Sequence, residues 1–180
     1  MGAQIDQARR ITAMKSEQDS FEALFKAEYA RVAGIANRVL FDPQEAEDVA
    51  QEVFIDFHRL HSATSPYAAP WLYRAAAHTA LNRLRGRRRR ERREHSQAVE
   101  EGSRAIDPQQ VAEANEDRRR VRRALAKLPA RPAAVLVLRS SGLSYSEVAE
   151  ALGVRTGQIG TLLRRAEEAL RKEVTRGTSA

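Results

Sequence analysis

Apolar residues recur every third or fourth position along most of the chain, a pattern that predicts amphipathic helices rather than strands. The first such stripe begins near Phe21 and is interrupted at Asp42-Pro43, because proline restricts the residue before it and lacks an N–H group. Asp42 is also a suitable N-cap for a second helix, which we predict to continue to about His61. The side chains expected to face inward from these two helices are Phe21, Leu24, Phe25, Val32, Ile35, Ala36, Val39, Ala46, Val49, Ala50, Val53, Phe57 and Leu60.

A third helix is predicted after the loop 62–70, which contains two prolines. It begins at Pro70-Trp71 and runs into a basic segment. Residues 94–109 that follow are polar and lack a sustained apolar stripe, which indicates a linker or a frayed extension of the third helix. The apolar stripe of the third helix is Leu72, Tyr73, Ala76, Ala77, Ala80, Leu81 and Leu84.

Residues 145–163 have the pattern of a helix-turn-helix. Ser144 is placed to cap a helix whose third residue is Glu147, a capping box that satisfies two backbone donors. Gly153 then ends this helix, because glycine adopts the left-handed conformation at low cost. The second helix of such a pair normally lies in the major groove of DNA. We predict that this helix starts at Arg155 or Thr156 and buries Ile159, Leu163, Ala166 and Leu170.

These elements predict an all-α protein made of two small helical domains joined by a flexible linker, the second domain ending in the helix-turn-helix. A length of 180 residues is sufficient for this layout. The predicted divisions are an N-terminal extension over 1–20, a first domain over 21–93, a linker over 94–109 and a second domain over 110–176.

The charge is strongly basic and concentrated in one place. The formal net charge is +7, and residues 85–93 (RGRRRRERR) carry seven arginines and one glutamate. Dense arginine clusters typically pair with phosphates, so this segment predicts contact with nucleic acid. A solvated helix end or a disordered basic tail is the alternative interpretation.

Some classes of protein are disfavoured by what the sequence lacks. The first twenty residues contain no apolar run and no stretch approaches membrane-spanning length, so we expect neither a signal peptide nor membrane insertion. The chain contains no cysteine, which excludes disulfides and cysteine-bound metal within it and fits a reducing cytoplasm. Ligand-spaced clusters of His, Asp and Glu, a glycine-rich phosphate loop and a nucleophile with its base are all missing from the pattern. We therefore expect no enzyme activity, metal or cofactor.

Two polar helix faces are candidates for binding. On the third helix an aromatic ring, a histidine, an amide and two guanidinium groups share one face, the combination that stacks on unpaired bases and bonds their edges. Trp71 alone is more often a core residue, and His78 alone is more often an ordinary surface histidine. On the second helix an acidic-amide stripe includes the apolar Ile55, which indicates a protein partner, although a simple solvated face explains the same spacing. The two faces are Trp71, Arg74, His78, Asn82 and Arg85 on the third helix, and Asp48, Gln51, Glu52 and Ile55 on the second.

Longer segments resemble a known family. EAEDVAQEVFIDFHRL (45–60) with PWLYRAAAHTALNRLRGRRRR (70–90) resembles the first conserved domain of bacterial sigma factors. The segment 124–171, which contains the helix-turn-helix, resembles their second. The layout with a short linker is similar to that of the extracytoplasmic-function (ECF) group, and the resemblance covers about 21–174.

The resemblance implies a non-enzymatic promoter-specificity subunit whose partners are core RNA polymerase and promoter DNA. It implies a cytoplasmic, nucleoid-associated protein that an anti-sigma factor commonly holds inactive. By resemblance, the clamp helices of the largest polymerase subunit bind Asp48, Gln51, Glu52 and Ile55. The loop 62–70 and the helix after it melt and hold the minus-ten element, with Trp71, Arg74, His78, Asn82, Arg85, Arg87 and Arg88 as the implied residues. The helix-turn-helix reads duplex DNA at minus thirty-five, with Arg155, Thr156, Gln158, Thr161, Arg164 and Arg165.

The chain departs from the family pattern WLxRIARNxxxDxxR at three polar positions of that pattern. Ala77 stands for the arginine, His78 for the asparagine and Asn82 for the aspartate. These departures leave the minus-ten sequence preference open. In the recognition helix, Gly160 and Leu162 occupy positions that are often basic or polar, and Gly160 costs the helix roughly 1 kcal/mol relative to alanine. Close approach of the backbone to DNA would explain that glycine.

Two other functions fit parts of the sequence. One is a helix-turn-helix regulator that binds DNA as a dimer and has no polymerase-docking surface. The other is a basic RNA-binding or structural helical protein. The separate acidic-amide and basic-aromatic helices disfavour the first, and the helix-turn-helix disfavours the second.

Overall fold

The computed structural model describes residues 2–100 and 112–177, and the side chains of 14–91, 93 and 116–177 within them. Every regular element in these ranges is helical, as predicted. A single 3-10 turn, Thr156–Gln158, precedes the last helix. The helices are α1 (Gly2–Leu40), α2 (Pro43–Leu60), α3 (Ala68–Glu100), α4 (Ala112–Lys127), α5 (Ala130–Ser140), α6 (Tyr145–Leu152) and α7 (Ile159–Arg176).

Helix α1 begins at Gly2, so the prediction of a start near Phe21 is wrong. The segment before Phe21 is rich in good helix formers and contains no proline, which favours helix without any core contact. Its side chains from position 14 onward are mostly exposed, and Met14 is 69% exposed. Because the described side chains there form no buried stripe, the apolar pattern of the sequence did not mark this part of the helix.

The break between α1 and α2 is the one that the sequence predicts. Asp42 is the N-cap of α2, and its carboxylate accepts a hydrogen bond from the Glu45 backbone N–H at 3.1 Å. Pro43 occupies the first helical position, where no N–H is needed. Phe41 takes a left-handed conformation with φ of 52°, which turns the chain between the two helices.

Helices α1, α2 and α3 form the first unit, and most of the predicted inward residues of α2 are buried. Leu60 is wrongly predicted, because it is the last residue of α2 and is 69% exposed. Phe54 is a core residue that the narrow stripe missed. It is 2% exposed and packs edge-on against Phe21 and close to Phe25, with ring centroids 6.2 and 4.9 Å away.

All seven apolar residues predicted for α3 are buried. The helix starts at Ala68, two residues before the prolyl start that the sequence predicts, and continues to Glu100. Helical backbone therefore covers 94–100 of the predicted linker, as the alternative of an extended third helix proposed. The remainder of that linker, 101–109, lies outside the described residues.

Helices α4 to α7 form the second unit, and its helix-turn-helix has the predicted cap and turn. The predicted start of the second helix at Arg155 or Thr156 is too early, because Thr156–Gln158 forms a 3-10 turn and α7 begins at Ile159. The backbone N–H of Ser144 donates to the Glu147 carboxylate at 2.7 Å, and the Glu147 N–H donates to the Ser144 hydroxyl at 3.2 Å. Gly153 ends α6 in the left-handed conformation with φ of 63°. In the stripe predicted for the last helix, Ile159 and Ala166 are buried, whereas Leu163 and Leu170 are half-buried.

The two units pack against each other. Helix α3 contacts α4, α5 and α6 as well as α1 and α2, and the buried apolar cluster runs through both units. The guanidinium of Arg31 in α1 donates to the Glu147 carboxylate at 2.7 Å, which joins the first unit to the cap of α6. Arg85 donates to the carbonyl oxygen of Leu128 at 3.0 Å, and Arg122 donates to that of Leu40 at 3.0 Å.

The cap and the ion pair of Glu147 predict an acid-dependent contribution to stability. The hydrogen bonds to the backbone and then the side chain of Ser144, with a smaller effect of the Arg31 guanidinium, lower the pKa of Glu147 below its ordinary value of 4.5, and burial opposes them. Because the folded pKa is the lower one, this stabilisation is present above about pH 4.5 and is lost as the pH falls through the folded pKa. We expect Glu147→Gln to remove this acid-side loss, with an effect below about 1 kcal/mol since the pair is partly exposed. Urea unfolding of both proteins between neutral and acid pH measures it. Glu150→Gln on the same helix is the control, and parallel curves for Glu147→Gln and the parent would contradict the assignment.

Candidate interaction surfaces

The acidic-amide stripe of the second helix is a continuous exposed surface. Asp48, Gln51, Glu52 and Ile55 are all exposed on α2, and Ile55 retains 50% exposure although it is apolar. Glu52 forms an ion pair with Arg83 of α3 at 2.6 Å. We call these four residues the acidic surface of α2. The Glu52 carboxylate is thus held by Arg83 of the same chain. Asp48, one helical turn earlier in α2, is exposed.

The predicted polar face of α3 is present over most of its length. Arg74, His78 and Asn82 are exposed and follow one another along the helix. The Asn82 side-chain nitrogen lies 3.2 Å from the Nδ1 atom of His78, and Arg85 donates to the Asn82 amide oxygen at 3.4 Å. We call Arg74, His78 and Asn82 the polar stripe of α3. These contacts hold the imidazole and the amide in fixed relation, as edge recognition of a base requires.

Trp71 differs from the rest of that face. Its ring is half-buried and packs edge-on against Phe57 and His61, with centroids 5.4 and 4.9 Å away. His61 in turn contacts the ring of Tyr67 in the loop before α3. The tryptophan therefore supports the junction between α2 and α3, and only part of its surface is accessible to a base.

The arginines that follow do not form one surface. Arg85 is tied to the second unit through the Leu128 carbonyl. Arg87 pairs with Glu45 and approaches Asp42 to 4.0 Å. Arg87 and Arg88 both line a cleft between α3 and α4. Arg87 also lies with Asn82 beside α2, and Arg88 lies with Asn82 beside α4, so both arginines border the polar stripe of α3 but on different sides of the helix.

The three departures at polar positions of the family pattern fall into two environments. Ala77 has no exposed surface, so this position belongs to the packing of α3 and not to a DNA-facing side. An arginine at this position would have to displace its neighbours or carry its charge into the core. His78 and Asn82 are exposed, so these two departures change the chemistry of the polar stripe itself.

The helix-turn-helix presents a groove beside the start of α7. Gln158, Thr161 and Arg165 line it, together with Arg155. All six predicted residues of this region are exposed, but Thr156 and Arg164 lie outside the groove lining. Gln158 also accepts a hydrogen bond from the Arg155 N–H at 3.2 Å, so its amide oxygen caps the 3-10 turn while its NH2 group remains a donor to bases.

Arg131 completes this groove and was missed by the sequence. It is exposed near the start of α5, about thirty positions before the recognition helix. Its place beside Arg155 and Arg165 depends on how α5 packs against α7, and no local pattern marks it. A guanidinium at this border of the groove is suited to a DNA phosphate.

Gly160 has room for a side chain. A Cβ atom at this position would meet only the Tyr145 ring, at 3.9 Å, an ordinary contact distance. We therefore expect Gly160→Ala to raise the free energy of unfolding by about 0.5–1 kcal/mol, because alanine favours the helix. Gly153→Ala is the matched control: with φ of 63° at that position it should lower the same quantity by about 1–2 kcal/mol. Urea unfolding checks both signs. Loss of stability in Gly160→Ala would show that the helix needs the glycine, whereas gain of stability with loss of DNA binding would show that DNA needs it.

Comparison with known proteins places these surfaces in a family. The model of Sigma-70 region 2 matches residues 24–90, which contain the acidic surface and the polar stripe, and that of Sigma-70 region 4 matches residues 118–170, which contain the groove. The RNA polymerase sigma-H factor of Pseudomonas aeruginosa is 31% identical over 169 residues, covering 88% of each chain. The chain belongs to the ECF group of RNA polymerase sigma factors. The ECF sigma factor SigW of Bacillus subtilis is 28% identical over 181 residues, with 89% of this chain and 91% of the relative covered.

The fold of this sigma factor is also found among solved structures. CnrH, solved in complex with the cytosolic domain of CnrY, aligns with a TM-score of 0.54 over 92% of this chain and 94% of that one, at 20% identity. The family models and the relatives that match the sequence show the function, which is that of a sigma factor in promoter-specific transcription initiation, with core RNA polymerase and promoter DNA as partners. None of the helices in the described part is long and apolar enough to cross a membrane.

Proposed function

We propose that this sigma factor divides its tasks among three surfaces: the acidic surface of α2 binds core polymerase, the polar stripe of α3 holds unpaired minus-ten bases, and the groove at α7 reads minus-thirty-five duplex. One observation carries the proposal. All three surfaces are exposed, and they differ in chemistry as their targets do. The domain boundaries, 21–93 and 110–176, belong to the same proposal.

The acidic surface of α2 suits a protein partner because it combines charge with an exposed aliphatic side chain. Ile55 supplies an apolar contact that a purely solvated helix face does not need. Asp48 and Glu52, which precede it on the same face of α2, favour a basic partner and would set the orientation of docking. In the free protein, Arg83 satisfies Glu52 and keeps that carboxylate from repelling its neighbour.

The polar stripe of α3 suits single-stranded DNA better than a duplex. An imidazole and an amide 3.2 Å apart offer a stacking face and base-edge hydrogen bonds within the space of one nucleotide. In contrast, the groove at α7 presents Gln158, Thr161 and Arg165 on a helix that follows a tight turn, the geometry that enters a major groove. The positive charge near both surfaces favours association with DNA through counterion release.

The proposal extends to three properties that the family resemblance implies. The protein performs no catalysis, because the phosphodiester chemistry belongs to the polymerase. It acts in the cytoplasm at the nucleoid, where its DNA target lies. An anti-sigma factor that holds it inactive is a further expected partner.

Co-purification of the full chain with core RNA polymerase, followed by promoter-dependent transcription in vitro, tests the function. We expect a stoichiometric complex and transcripts that depend on the added chain. A stable homodimer that binds a palindromic duplex and fails to join core polymerase would instead support a dimeric helix-turn-helix regulator.

A further inference from the structure

A basic cleft lies where the two units meet, between residues 84–91 of α3 and 119–126 of α4. Its volume is about 380 Å³, in the range of small-molecule sites. The first unit contributes two arginines and the second unit three, so the cleft exists only while the units are packed. Its charged lining is Arg87, Arg88, Arg119, Arg122, Arg123 and Glu91.

The positive charge of this cleft is only partly balanced. Arg87 pairs with Glu45, and Arg123 pairs with Glu116 at 2.6 Å. Among the residues that the structure describes, neither Arg88 nor Arg119 forms an ion pair. Arginine on both walls of the cleft therefore faces it without an opposite charge of its own.

The environment of Arg122 shows the excess of positive charge inside the cleft. Its guanidinium donates to the Leu40 carbonyl at 3.0 Å and lies 5.9 Å from the Phe41 ring centroid, which fixes its position without cancelling its charge. Burial, followed by the like charges of Arg87 and Arg119, lowers the pKa of Arg122, and Glu91 opposes this effect. An arginine stays charged at any physiological pH, so a bound anion, and not loss of the proton, would offset the repulsion from Arg87 and Arg119.

The number of arginines in the walls favours a polyanion over a single carboxylate or a halide. A guanidinium group binds an oxyanion with two parallel hydrogen bonds, and several arginines around one space suit several linked phosphates, each of which carries charge and acceptor oxygens. The cleft is bounded by two helices, which leaves room for a small polyanion and not for a DNA duplex. We propose that it binds an oligophosphate anion, either a free phosphate chain or the phosphates of a nucleotide, that bridges Arg88 of the first unit to Arg119 of the second.

Such a ligand would act on the sigma factor through mass action. It binds only the packed arrangement, so it favours that arrangement over any in which the units separate. In the packed arrangement Arg85 is held by Leu128 and Arg88 would be held by the ligand, which withdraws both from DNA. This inference goes beyond the proposed function and does not depend on which promoter is read.

Calorimetric titration of the full chain with inorganic tripolyphosphate at constant ionic strength tests the site. We expect saturable binding of one ligand per chain. Arg88→Glu and Arg119→Glu should each weaken it about tenfold or more, because each removes a charge-assisted hydrogen-bond partner. Since these residues belong to different units, an effect of both single variants is the signature of bridging. Arg59→Glu and Arg171→Glu make the same charge change at exposed positions outside the cleft and should bind like the parent.

A parallel titration with adenosine triphosphate separates the two sources of the phosphates. Equal affinity for both probes identifies the phosphate chain as the recognised group, and tighter binding of the nucleotide identifies a nucleoside contact as well. Equal weakening by cleft and control variants would reduce the binding to diffuse attraction by a basic chain and overturn the proposal. An effect of only one cleft variant would overturn the bridging. If a charge reversal fails to fold by circular dichroism, Arg88→Gln and Arg119→Gln replace it.

Discussion

Reversing the charge at Asp48 and Glu52 is expected to abolish binding to core RNA polymerase. Both carboxylates are exposed on the acidic surface of α2, so the double variant D48K/E52K places two ammonium groups where a basic partner is proposed to dock. Loss of a close charge pair at an interface costs about 2 kcal/mol or more, and repulsion adds to this loss. Binding of the labelled sigma factor to purified core polymerase, followed by fluorescence anisotropy, measures the effect.

Two variants on neighbouring elements sharpen this test. Glu47→Lys makes the same change at an exposed position of α2 outside the surface and should leave binding nearly intact. Arg83→Ala removes the internal partner of Glu52 and should leave polymerase binding unchanged or stronger, because the carboxylate no longer has to leave an ion pair. Substitutions at the exposed positions 47, 48 and 52 shift stability by only about 0.5 kcal/mol, so folding should survive in those variants. Parental affinity in D48K/E52K would remove this surface from the proposal.

Replacing His78 and Asn82 by alanine should impair promoter opening while leaving closed duplex binding intact. These side chains are exposed and linked at 3.2 Å, so their truncation removes stacking and base-edge contacts without a loss of core packing. A stacked base contact is worth about 1–3 kcal/mol, which corresponds to roughly five- to 150-fold fewer open complexes. Trp71 is less suited to this test because its ring packs against Phe57, and Trp71→Ala would also weaken the fold.

Substitutions in α7, the recognition helix, should have the opposite effect, a loss of duplex binding. Arg165→Ala should weaken upstream duplex recognition by about 1–3 kcal/mol, and a pre-melted minus-ten template should not rescue it. Arg171→Ala removes an exposed arginine of the same helix outside the groove and serves as its control. Permanganate footprinting on matched duplex and pre-melted promoters distinguishes the two defects. If both variants lost opening equally and pre-melting rescued both, the assignment of these helices to separate promoter elements would be wrong.

The local features of this fold were readable from the sequence because they depend on neighbours within one helical turn. Asp42 caps the N–H of Glu45, and Ser144 and Glu147 cap each other. Gly153 turns the chain by its own backbone conformation. The apolar stripe of α3 has helical spacing, and burial follows that spacing.

Local reasoning failed where described side chains are mostly exposed or where a stripe was wider than the spacing suggested. Helix formers before Phe21 extend α1 to Gly2, and the side chains described there, from position 14 onward, are mostly exposed, so periodicity could not mark the start of the helix. Phe54 lies at the edge of the buried side of α2 and is covered only because the aromatic rings of α1 reach it. Leu60 has the right spacing but stands at a helix end with nothing packed over it.

The interaction surfaces also have a part that the sequence determined and a part that only the tertiary structure decided. By itself, the sequence determined that Asp48, Gln51, Glu52 and Ile55 share one face, and that the helix-turn-helix carries an outward polar side. Only the tertiary structure decided that Glu52 meets Arg83, that Arg85 meets Leu128 and that Arg31 meets Glu147, pairs separated by 31, 43 and 116 positions. Hydrogen bonds and apolar spacing within one helix act over about four residues, whereas these contacts depend on the angles and offsets at which whole helices pack. The arginines of 85–93 show this difference most clearly. They form one cluster in the sequence, but in the structure Arg85 bonds to the second unit, Arg87 pairs with Glu45 of α2, and Arg88 lines the cleft between the units. The reason is that successive residues of a helix point in different directions.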